Sequence, residues 1–236
     1  MHKKVLPFLN RHILQTKGEN TTIRAFVAVS IAKVIRKLPV DLFSLHLQKL
    51  INLIVVKGLR EKDLNTREKA RKALIKVIGE VSPRFLTLIL QEMGNNLNRG
   101  FQLHVYLYTV HYVFNYMKDQ MVSGQVTTQM IHLISPLLLR EMFGDLMEER
   151  KATEETTKKH IKESKARKAM PIYEVFAQYI DFKTSFLELV QPIVKVLEDN
   201  PTHSAIQMTE DLLARVANAV LKNTSITSAK LLPFMR

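Results

Sequence analysis

A chain of 236 residues, 46% of them apolar, with a formal net charge of +13, can fold on a core of its own, which excludes a chain disordered by composition. Seven glycines and eight prolines are too few for an all-β chain, which turns about every eight to twelve residues, so helix is the expected element. The absence of cysteine excludes disulfides, thiolate metal sites and cysteine nucleophiles together.

The excess of 35 Lys and Arg over 22 Asp and Glu favours nucleic acid, an anionic membrane surface or an acidic protein as partner, against simple solvation of lysine-rich helix faces. The opening residues Met1-His2-Lys3-Lys4-Val5-Leu6-Pro7 are basic, but Arg11 and His12 interrupt before an apolar h-region forms, so no signal peptide is predicted. Apolar runs such as Ile51–Val56 and Leu137–Leu139 fall well below the roughly 18–20 residues that span a bilayer. The expectation is a soluble, intracellular chain with no membrane partner.

The first amphipathic segment places Ile23, Phe26, Val27, Ser30, Ile31, Val34 and Leu38 on one face and stops before Pro39. The next places Ala70, Ala73, Leu74, Val77, Ile78 and Val81 on one face and Arg67, Lys69, Arg71, Lys72 and Lys76 on the other, with Asn65 or Thr66 as N-cap and Ser82-Pro83 as stop. New helices are predicted near Asp41, Ser82 and Gly124, intervals of 41 and 42 residues that each hold two helix-length apolar segments. Two helices per repeat of about 40–47 residues is the spacing of HEAT and armadillo arrays, whose units bury their apolar faces only by stacking. The predicted fold is therefore all-α: a HEAT-like α-solenoid of about five helical pairs, continuous over residues 1–236. The run Asp63-Leu64-Asn65-Thr66-Arg67 looks like the start of a HEAT second helix, in which Asp and Arg form a ladder between repeats. An ordinary amphipathic helix is the alternative.

The segment Arg99–Lys118 holds Phe101, Tyr106, Tyr108, Tyr112, Phe114 and Tyr116. Aromatics among basic residues can stack on RNA bases, but only Arg99 and Lys118 are basic here, so this reads as the best-buried helix of the array. His104 and His111 are seven apart, where ligands on one helix want three or four, so they read as packing residues and no metal is predicted. Pro136 and Pro192, inside Val126–Met147 and Ser185–Leu197, kink their helices or end them. Residues 150–170 lack apolar periodicity and read as a basic, exposed, mobile insertion. Helical pairing resumes over Pro171–Ile180, Ser185–Leu197 and Thr202–Lys222, and Thr224–Arg236 opens a further helix.

No phosphate-cradling glycine loop, nucleophile elbow or HExxH occurs, and the pairs Glu148-Glu149 and Glu154-Glu155 lie where no dry pocket would shift a carboxyl pKa. No catalytic residue, cofactor or small-molecule substrate is predicted. Two basic zones hold ten of the 13 net charges, each with eight Lys and Arg against three acids. They supply the candidate RNA- or partner-binding residues: Lys57, Arg60, Lys62, Lys69, Arg71, Lys72 and Lys76 in the first, and Lys158, Lys159, Lys162, Lys165, Arg167 and Lys168 in the second. Such clustering suits a surface that follows phosphates without reading bases. The run Lys158-Lys159-His160-Ile161-Lys162 is also compatible with a nuclear-localisation signal.

The run Arg67-Glu68-Lys69-Ala70-Arg71-Lys72-Ala73-Leu74, then Pro83-Arg84-Phe85, then Leu97-Asn98-Arg99-Gly100-Phe101-Gln102-Leu103-His104-Val105 with Tyr108-Thr109-Val110-His111, and Glu141-Met142-Phe143-Gly144-Asp145 resemble the very large HEAT-repeat proteins of the small-subunit processome, the "down-regulated in metastasis" family. The likeness runs from about Thr22 to Pro233. It implies a non-catalytic nucleolar scaffold in pre-rRNA processing, with pre-rRNA, a small nucleolar RNP and processome proteins as partners. It also implies that the chain is a fragment, since the family's proteins are far longer, and that Arg99, Gly100, Gln102, His104 and His111 serve packing. The alternative is a protein-docking HEAT solenoid, such as a transport-factor-like adaptor, with no RNA contact.

Overall fold

Pro39 cannot continue a helix, so the first amphipathic segment ends and a second begins at this residue. The computed structural model describes residues 2–17, 20–146, 163, 167–199 and 202–226. Among them are ten α-helices: α1 His2–His12, α2 Ala25–Ile35, α3 Val40–Ile54, α4 Leu64–Ile78, α5 Leu86–Asn96, α6 Phe101–Met117, α7 Thr128–Phe143, α8 Ala169–Tyr179, α9 Phe182–Asp199 and α10 His203–Val220. The chain is mostly helical, as its composition requires. An antiparallel hairpin, β1 Leu14–Lys17 with β2 Asn20–Ile23, departs from the all-α expectation. Its β-branched Thr16, Thr21 and Thr22 suit strand over helix.

The residues group into two compact units, Met1–Thr109 with Lys159–Glu163, and Val110–Lys158 with Ser164–Arg236. In the first, α2 packs on α4 and α3 on α5, so each helix meets its counterpart in the next pair. Side chains mark this register: Arg36 donates to the Glu80 carbonyl (3.3 Å), Gln48 to the Glu92 carboxylate and Asn52 to the Asn96 side-chain oxygen (3.5 Å). All three bridges join residues 44 apart, against the 41 and 42 read from helix starts. The helices themselves start at Val40, Leu86 and Thr128, intervals of 46 and 42 residues: the first is longer than read because Ser82-Pro83 opens a 3-10 turn, Pro83–Phe85, ahead of α5, and the second is as read.

A π turn, Val55–Leu59, follows α3. A Cβ on its Gly58 would overlap the Cβ of Ala70, so α4 lies against this turn only because residue 58 has no side chain. The stretch Val40–Leu59 is long and apolar enough to cross a membrane by length and composition, although polar residues interrupt its apolar runs. Its Leu47, Ile51, Ile54 and Val55 are fully buried inside the first unit while Asp41, Lys49 and Lys57 face outward, the design of a core helix.

In the second unit α7 packs on α9 and α8 on α10, with Phe114 edge-on to Phe176 at 5.3 Å. Pro136 and Pro192 lie inside continuous helices, so neither ends one. The Glu141 carboxylate on α7 accepts the backbone N–H groups of Lys168 (2.8 Å) and Ala169 (2.6 Å). It supplies the acceptor that α8 lacks, since Lys168 at the N-cap makes no side-chain capping bond. Of the insertion predicted over 150–170, only Glu163 and Arg167–Met170 are described, and the tail helix expected to 236 lies outside the described residues beyond 226.

Candidate nucleic-acid interface

Helix α4 starts two residues earlier than an Asn65 cap would have it and three earlier than a Thr66 cap would, because the Asp63 carboxylate accepts both the amide and the hydroxyl of Thr66, each at 2.8 Å. Those bonds hold the Asp63 carboxyl below its ordinary value, with Arg67 adding to the effect. The predicted Asp–Arg ladder does not form at this position: Asp63 is spent on the cap, and Arg67 turns elsewhere.

At 100° per residue, Lys69, Lys72 and Lys76 fall within about 60° of one another, opposite the buried Leu74 and Ile78. All three are exposed and none forms an ion pair among the described residues. They make a cationic stripe about 10 Å long on the outer face of α4. Arg67 and Arg71 were placed on this outer face, and there the structure differs. The sequence 67, 71, 74, 78 steps by four, three and four, so both arginines lie on the apolar side with Leu74 and Ile78, and both are buried.

What they meet there is Glu163. Arg67 grips its carboxylate with Nε and Nη2, both at 2.8 Å, and Arg71 donates from Nη1 and Nη2 to one oxygen at 2.9 Å. Arg67 also donates from Nη1 to the carbonyls of Glu61 (2.9 Å) and Lys62 (2.8 Å). The Arg71 guanidinium sits 4.8 Å from the Tyr108 ring centroid and that of Arg67 6.0 Å from the Phe101 ring, contacts that favour a desolvated cation. Burial alone would raise the Glu163 carboxyl, but the two arginines outweigh it and hold it below the ordinary carboxylate range. Arg71 is therefore removed from the candidate contacts, its guanidinium being enclosed and occupied. The reading of residues 150–170 as wholly exposed fails at Glu163, which is fully buried.

The other candidates divide by position. Lys62 is exposed and Arg60 half-buried in the turn between α3 and α4. Lys57 is exposed but lines a cleft along α3 with Leu45, Leu53 and Val56, apart from the α4 stripe. Arg167 is exposed and Lys168 half-buried, while Lys158, Lys159, Lys162 and Lys165 lie outside the described residues. On α6, Tyr106 and Phe114 are buried as expected, and the Tyr106 hydroxyl donates to the Leu90 carbonyl at 2.9 Å. Tyr112 and Tyr116 are not core: one turn apart, they are 39% and 43% exposed. His104 is buried and His111 half-buried, and burial, helped by Lys168, lowers the His111 pKa. Among the described residues no three His, Asp or Glu side chains gather as a metal site would need.

A lysine stripe can neutralise phosphates; it offers no base-reading geometry. A family model, the U3 small nucleolar RNA-associated protein 20 domain, matches residues 15–236. The chain belongs to this family. Two curated relatives carry the name U3 small nucleolar RNA-associated protein 20: one from Schizosaccharomyces pombe (strain 972 / ATCC 24843), 28% identical over 94% of this chain, and one from Saccharomyces cerevisiae (strain ATCC 204508 / S288c), 26% identical over 98%. The chain spans about 9% of the length of each.

Proposed function

We propose that the chain is a non-catalytic scaffold segment in the small-subunit processome, acting in the nucleolus in pre-rRNA processing, and that its α4 stripe holds RNA backbone. The observation that carries the RNA contact is the alignment of Lys69, Lys72 and Lys76 on one exposed helix face, unpaired among the described residues. Membership of a family named for its association with a small nucleolar RNA supports the setting. The helix pairs are HEAT-type repeats of an α-solenoid in this proposal. Its support is the packing of like helix on like helix in each unit and the constant 44-residue offset in the first.

Binding of a structured pre-rRNA fragment at several salt concentrations tests the contact. Log affinity should fall linearly with log salt, and substituting Lys69, Lys72 and Lys76 together by Glu should flatten the slope by roughly 2 to 3 while weakening every RNA alike. Affinity independent of salt, or unchanged in the triple variant, overturns the contact.

A further inference from the structure

We propose that the outer groove of α3 is a docking site for an acidic, amphipathic helix of a protein partner. Residues 45, 49, 52, 53 and 56 form one stripe along the helix, and with Gln48, Lys57 and Glu92 they line a cleft of about 460 Å³. The floor is aliphatic: Leu45 is 45% exposed, with Leu42 beside it at 40%, and Leu53 and Val56 are half-buried. Aliphatic side chains held in an open furrow between two helices match what the apolar face of a helix needs when it lies in a groove.

The rim decides the sign of the partner. Lys49 on α3 and Lys57 on the π turn that follows it are both exposed and stand about 12 Å apart along the helix axis, flanking Leu53 and Val56. The one acid in the lining, Glu92, is buried and accepts from the Gln48 amide, and Asn52 is committed to Asn96. The groove thus presents two outward cations over an aliphatic bed, its polar middle already satisfied by α5. A nucleic acid would find phosphate partners here but no aromatic ring on which to stack a base. A helix with Leu or Ile on one face and Glu along its edges satisfies floor and rim together. The α4 stripe takes no part, so this site and the RNA contact stand or fall separately.

The test uses the 236-residue chain and a fluorescein-labelled 18-residue peptide helix with Leu at i, i+4, i+7 and i+11 and Glu on the flanking positions, beside a Lys-flanked copy. Saturable binding of the Glu-flanked peptide in the micromolar range is expected. Leu45→Asp should weaken it at least about tenfold; its side chain is half in water, so the fold tolerates the change, which an unchanged melting curve verifies. Reversing the rim, Lys49→Glu with Lys57→Glu, should invert the preference so that the Lys-flanked peptide binds better. The triple Glu variant of Lys69, Lys72 and Lys76 should bind the peptide as before. No saturable binding, equal binding of both peptides, or affinity unmoved by Leu45→Asp overturns the proposal. So does displacement of the peptide by single-stranded RNA with loss of that competition in the rim variant, which would give the groove to nucleic acid.

Discussion

Glu163 and Glu141 are both buried carboxylates, one in each unit, and their surroundings differ in kind. Glu163 is enclosed by two guanidiniums that have left water with it. Glu141 accepts two backbone amides at the opening of α8, where the helix dipole presents partial positive charge. In the first unit the carboxylate is the counter-ion of buried cations, so its loss strands charge. In the second it completes a helix end, so its loss strands two dipoles instead of a charge, one at half-buried Lys168, where water can stand in, and one at fully buried Ala169. Burial by itself does not rank the two; what each would leave behind does.

Glu163→Ala should be the most damaging change, removing about 3 to 5 kcal/mol of stability by urea unfolding, since two enclosed guanidiniums lose their partner. A loss below about 1 kcal/mol would mean that Arg67 and Arg71 rehydrate at little cost, and the contrast with Glu141 would vanish. Glu141→Ala should cost about 1 to 2 kcal/mol, the range of a lost helix cap, with hydrogen exchange quickening first at the amides of Lys168 and Ala169. Arg71→Met should cost about 1 kcal/mol, because the two-point Arg67–Glu163 pair survives without an excess cation. Were it to match Glu163→Ala, the clamp would act as an indivisible triad.

The smallest effect is in pH. The folded Glu163 carboxyl lies below its unfolded value, so its contribution is full above the unfolded value of about 4.3 and disappears as pH falls through the folded one. The wild-type chain should therefore lose stability more steeply than Glu163→Gln below about pH 4, in equilibrium unfolding at matched salt. Parallel acid limbs would show that the pair contributes nothing to folding.

The helices were legible because apolar spacing and Pro39 act within a few residues. The three C-terminal helices agree with the predicted spans to within a few positions. The hairpin at Leu14–Ile23 was missed because four-residue strands carry too little alternation to register. The inward direction of Arg67 and Arg71 was legible: their spacing to Leu74 and Ile78 already places them on the apolar face, and their charge points the wrong way only because a buried guanidinium needs a partner. Their partner was not, since Glu163 is 96 residues from Arg67 in a stretch with no period of its own. The α3 cleft was hidden for the same reason. Gln48 on α3 and Glu92 on α5 are 44 residues apart, and only folding makes them neighbours.

The bridges Arg36–Glu80, Gln48–Glu92 and Asn52–Asn96 all span residues 52 to 80, so they behave as three tick marks on one ruler. Exchanging a side chain there can erase a single mark. Dropping a residue from within α4 would swing everything beyond it by roughly 100° about the helix axis and put all three out of step at once. This portion of the chain should therefore accept altered letters far more readily than altered length.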